Sequence, residues 1–100
     1  MVSLLLTLLL HAAPAHAELA RPLQFHCGVQ PREETGDFLA YGVAAFAAGE
    51  ETFTAVFQRR QADGGYHPFC GVLARAIQDG RSVEIYRQPQ GDLWVLREVR

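Results

Sequence analysis

Phe38–Ala48, FLAYGVAAFAA, runs for eleven residues without a polar side chain, and whether it is helix or strand decides the fold. As a helix it would begin at an Asp37 cap, stop at Gly49 and profit from five alanines. A helix that is apolar all round must, however, be buried on every side, which so short a chain can hardly arrange. As a strand it can be covered on both faces. Gly49-Glu50 then supplies a Gly-X hairpin turn into Thr52–Gln58, TFTAVFQ, which is rich in strand-forming Thr, Phe and Val. The expectation is therefore a strand pair.

Working outward, Gln30–Asp37 collects proline, glycine and charge and reads as a loop. Before it, Leu23–Val29 has the length of a first strand, and Glu18–Pro22 reads as a short leader. Downstream, Arg59–Tyr66 contains Asp63-Gly64-Gly65 and must turn. Phe69, Val72, Leu73, Ala76 and Ile77 then fall at the i, i+3, i+4, i+7, i+8 spacing of an amphipathic helix. Pro68 suits its first position and Gly80 its end, so a helix is expected over 68–79, with Gly71 costing about 1 kcal/mol relative to alanine. Ser82–Arg87, a Gln88–Gly91 turn and Leu93–Val99 form a closing hairpin, with Val83, Ile85 and Arg87 on one face. The fold class read from this is α+β: a small antiparallel sheet of four to five strands with one helix packed on one face. An all-β meander is the alternative.

The N-terminus gives the compartment. Val2–Leu10 is a nine-residue apolar run, and Ala15 and Ala17 occupy the small-residue positions of a cleavage site, so residues 1–17 read as a secretory signal peptide. The run is shorter than the roughly 20 residues needed to span a bilayer. Residues 18–100 then form one small domain, with no membrane span in the mature chain. Its nine arginines and eleven carboxylates leave a formal charge of -2, which argues against nucleic acid as a partner. The absence of Lys and Asn fits a GC-rich bacterial genome, and the expected location is periplasmic or secreted.

In such a compartment the two cysteines, Cys27 and Cys70, are most simply a disulfide. The domain is thus expected to be stapled between its first strand and its helix. The sharper reading is a metal site using His26 and His67 with or without Cys27 and Cys70, since imidazole and thiolate suit zinc or copper. His26 and Cys27, as neighbours on a strand, point to opposite faces, which works against it. A reactive Cys70 thiol in the first helical turn beside His67 is the third option. Ser82 has no His near it in sequence, and the acidic clusters Glu33, Glu34, Asp37 and Glu50, Glu51 suit a loop and a hairpin tip.

Tyr86, Trp94, Arg87 and Arg97 are of the types that dominate protein interfaces and are the expected partner-binding residues. On layout alone, with no motif behind it, the chain resembles small disulfide-stapled periplasmic proteins, some of which inhibit hydrolases. The expectation is an exported, non-catalytic binding module of the bacterial envelope, inhibitor-like in kind, with a protein or envelope component as partner and no cofactor. An extracytoplasmic metal-binding protein is the alternative.

Overall fold

The computed structural model describes residues 17–100, so residues 1–16 of the expected signal peptide lie outside the described residues. Five strands and one helix follow in the order β1 (Ala17–Arg32), β2 (Asp37–Ala48), β3 (Glu51–Gln61), α1 (Pro68–Asp79), β4 (Val83–Gln90) and β5 (Leu93–Val99). The expected α+β class holds. Among these residues no helix is long and apolar enough to cross a membrane.

The decisive apolar stretch is strand throughout. In β2 the even positions Ala40, Gly42, Ala44 and Phe46 are buried, while Tyr41 and Val43 are 37% and 36% exposed. Two-residue periodicity therefore operates inside an apolar sequence, and the expectation that both faces are covered is corrected: the odd face looks outward. Gly49 adopts the positive φ that a two-residue hairpin turn requires, and Ala48 pairs with Glu51 across it.

The sheet closes on itself in the order β1-β2-β3-β5-β4. β1, β2 and β3 are joined by hairpins, and β4 returns through α1 to lie beside β1, which is a Greek key. β5 fills the remaining gap between β4 and β3. Strand direction cannot alternate all the way round a closed ring of five, so one neighbouring pair must be parallel. That pair is β3–β5, which makes the sheet mixed where a purely antiparallel one was expected.

β1 serves both ends of this closure. Ala17–Ala20 pairs with β4 and Arg21–Arg32 with β2, with a bulge between Pro22 and Gln24. The extra residue bends the strand and shifts its inward set from Ala20 and Pro22 to Phe25 and Cys27. Glu18–Pro22 is thus barrel strand and no leader, and β1 runs on to Arg32, which shortens the expected loop to the turn at 33–36.

The barrel core is Phe46, Phe53, Phe57, Val83, Ile85, Leu96 and Val99 lined by small Ala20, Ala44 and Ala55. Phe57 lies across Gly42, where a Cβ would run into its ring. α1 adds Cys70, Leu73 and Ala76 to this core and packs on β1 and β5. Its bounds are those read from the sequence. Gly80 takes φ 65°, its N–H reaches the Ile77 carbonyl at 3.1 Å, and the Arg81 N–H reaches that of Ala76 at 3.0 Å, a Schellman stop.

Candidate functional site

The side chains singled out from sequence fall into two groups, and a third feature was not anticipated. The first group surrounds the cysteines. Cys27 faces inward from β1 and Cys70 faces it from the first turn of α1, and their sulfurs are joined at 2.00 Å. Both thiols are thereby engaged, which leaves no nucleophile for the reactive-thiol option. His26 and His67 line one open depression of about 670 Å³ beside this bond, together with Tyr66 and Gly71.

The two imidazoles differ in surroundings. His26 is exposed on the outer face of β1, as its adjacency to the inward Cys27 requires. His67 is buried and caps the helix: its Nδ1 accepts the Phe69 N–H at 3.1 Å. The ring packs on Phe69 at 4.4 Å and on Phe57 at 4.9 Å between centroids. Cap acceptance occupies Nδ1 and leaves only Nε2 to face the depression. Among the described residues no group of three or more His, Cys, Asp or Glu comes together to hold a metal ion.

Burial, and secondarily the Arg59 charge, pushes the His67 pKa below its ordinary 6.5. The unfolded chain therefore takes up this proton first as pH falls, so protonation favours unfolding. Stability associated with His67 is complete above about pH 6.5 and is lost as pH drops through the lowered folded-state value. Protonating Nδ1 also removes the cap acceptor. We expect His67→Asn, which keeps a capping oxygen without the titration, to flatten the pH dependence. Urea midpoints of both proteins at about pH 5 and about pH 7.5 check this; parallel profiles would show that His67 does not contribute.

The second group centres on Arg87. Its guanidinium lies 3.6 Å over the Phe53 ring and 4.3 Å over Trp94. Its Nε donates to Glu18 at 2.7 Å and its Nη2 to Glu51 at 2.8 Å, the start of β1 and of β3. With the side chain 12% exposed, Arg87 is a tie between three strands and two rings. The hydrogen bond from Arg87 holds the Glu51 carboxyl below its ordinary 4.5. Tyr86 accepts from the Gln88 amide at 2.7 Å, and Arg97 donates to the Gln88 carbonyl oxygen at 2.7 Å. Of the four expected partner-binding residues, Arg97 is the one exposed on the wall; Arg87 and Trp94 are packed together inside the mouth of the barrel.

The feature that sequence reading missed is the outer wall. The strand registers place His26 opposite Val43, Val43 opposite Val56, Val56 opposite Val95 and Val95 opposite Gln88, a single row crossing all five strands. Beside it Tyr41 lies flat over Gly28, where a Cβ would meet the phenol ring. A groove of about 430 Å³ is formed here by Leu39, Tyr41, Val43 and Val56 with Gln30 and Gln58 at its rim. It continues past Val56 into a cleft of about 310 Å³ beside Leu93, Val95 and Arg97. No carboxylate lines either depression. The signal was present in the sequence, since a strand apolar at both parities must present one set outward if only one side meets a core.

Comparison of the chain with protein-family models, with curated protein sequences and with solved structures finds no match.

Proposed function

We propose that this is an exported, non-catalytic binding module of the bacterial envelope that docks a protein or envelope component on the outer wall of its barrel. The observation that carries this reading is the apolar row of Val43, Val56 and Val95, flanked by Tyr41 and the 57% exposed Leu93 and free of carboxylates. Contiguous apolar surface of this kind on a small domain marks an interaction site. In strand number and Greek-key connection the barrel is like the OB-fold barrels, which take ligands on the face of their second and third strands. Such a likeness carries no function by itself. It agrees with the location of the groove, while the formal charge of -2 disfavours nucleic acid as the ligand.

The test is a photo-crosslinking residue at Val43, expressed in the producing cell, with Glu84 as the control position. A discrete adduct from Val43, absent from Glu84 and lost when Val56→Asp is added, is the expected result. Identical adducts from both positions, or none from Val43, would refute the reading.

The metal-binding alternative rests on His26 and His67 lining one depression. It expects a stoichiometric metal in mildly purified protein that disappears in His26→Ala. Metal-free protein removes it.

A further inference from the structure

Beyond Val56 the barrel wall is split. β3 meets β5 only through Ala55–Trp94 and Val56–Val95. β3 then continues to Gln61 along β2, and β5 to Val99 along β4. From Phe57 to Gln61, one edge of β3 therefore faces no strand, and the edge of β5 from Leu96 onward is in the same position. The wedge between them is the cleft described above, floored by buried Phe57 and Leu96 and walled by Leu93 and Val95.

Unpaired edges carry rows of N–H and C=O groups that template another strand, and proteins commonly guard them with charge. Arg97 is the one charged residue lining the cleft; Arg59 and Arg60 follow on β3, and Glu98 follows Arg97 on β5. Arg59 and Arg97 donate to the side-chain oxygens of Gln61 at 3.1 Å and Gln88 at 2.7 Å, both neutral. Among the described residues neither has a carboxylate partner, and Arg60 shares Asp37 with Arg32. Arg59 has the inward parity of Phe57 and Arg97 the outward parity of Val95, and of the two only Arg97 lines the cleft.

We propose that this wedge takes an extended, acidic peptide by strand addition to β3. Backbone groups of the peptide pair with those N–H and C=O groups of Phe57–Gln61 that point away from β2. Its alternating side chains place apolar groups over Phe57 and Leu96 on one face and carboxylates against Arg97 on the other. Backbone pairing supplies the affinity and Arg97 selects the sign of charge. The inference rests on the binding-module reading and names its partner class.

The probe is a capped heptapeptide alternating valine and glutamate, with a valine–lysine and a proline–glutamate heptapeptide as comparisons. Amide hydrogen exchange of the oxidised protein is followed by NMR. With the valine–glutamate peptide in millimolar excess, exchange at alternate amides of Phe57–Gln61 should slow by about tenfold or more, an effect lost in Arg97→Glu. The lysine peptide should give none, and neither should the proline peptide, which lacks the N–H groups that pairing needs. No protection with the glutamate peptide, or equal protection with the lysine peptide, overturns the proposal. Protection by the proline peptide would mean side-chain docking without strand addition and overturns it too. Protection that rises with protein concentration alone would assign the edge to a second copy of the chain. A specific Val43 adduct without peptide protection would sink strand addition and leave the binding module standing; failure of both removes the module itself.

Discussion

Replacing Cys27 and Cys70 with alanine is expected to lower the unfolding free energy by about 4 kcal/mol. The bond closes a sequence separation of 43 residues, and on the chain-entropy account a loop of that length constrains the unfolded state by that amount. The native state gives a second reason for a large effect. α1 buries Cys70, Leu73 and Ala76 on the barrel and Phe69 and Val72 in part, and Ile77 on its far side is 38% exposed. A domain of this size gains little from burial alone, so a single covalent tie is a large share of its stability. Urea unfolding of the oxidised protein and of the double alanine variant measures the difference. A loss below about 1 kcal/mol would mean that helix packing holds the plug without the bond.

Phe46→Ala is expected to cost about 3–5 kcal/mol, the range for a large aromatic removed from a core. Phe46 is fully buried and stacks on Phe53 at 5.4 Å; Phe53 in turn meets Trp94 edge-on at 6.5 Å and carries the Arg87 guanidinium. The lining around it is rich in alanine, Ala20, Ala44 and Ala55, none of which can reach into the vacated space. The wall cannot collapse without breaking strand pairs, so the cavity should persist. The same urea measurement applies, with Trp94 fluorescence reporting whether the ring stack loosens. A cost under about 2 kcal/mol would show that the barrel contracts after all.

What could be read from the sequence was local, and what could not was set by distant partners. α1 was legible to the residue because Pro68 fixes its start and Gly80 its stop, each by its own backbone constraint. The β2–β3 hairpin was legible because Gly49 takes the positive φ that the turn needs. The last hairpin was read one step early: Pro89 suggested the turn, yet it lies in β4 opposite Trp94, and the turn is Gly91-Asp92, with Gly91 at φ 61°. Glu18–Pro22 was misread because ELARP has no apolar period; its strand state comes from pairing with β4. Closure of the sheet is a property of the ring and leaves no mark on any short window; the apolar run of β2 implied that one parity faces outward, and closure decides that it is Tyr41 and Val43. Both histidines were placed near the cysteines correctly, but that Nδ1 of His67 caps the helix depends on geometry that sequence spacing does not carry.

The place of β4 between β1 and Arg100 sets the order in which the molecule can assemble. Glu84 exchanges backbone hydrogen bonds with Arg100, at 2.8 and 2.9 Å, while Val83–Tyr86 holds Ala17–Ala20 on its other edge. The Glu18–Arg87 contact spans 69 positions. β1, β2 and β3 can form their meander and α1 can approach Cys27 early, but the first residues of β1 have no strand neighbour until β4 is in place. Contacts so remote along the chain make for slow folding. Until they form, the intermediate presents an open sheet with bare strand edges, the species in which β domains of this kind are most exposed to aggregation.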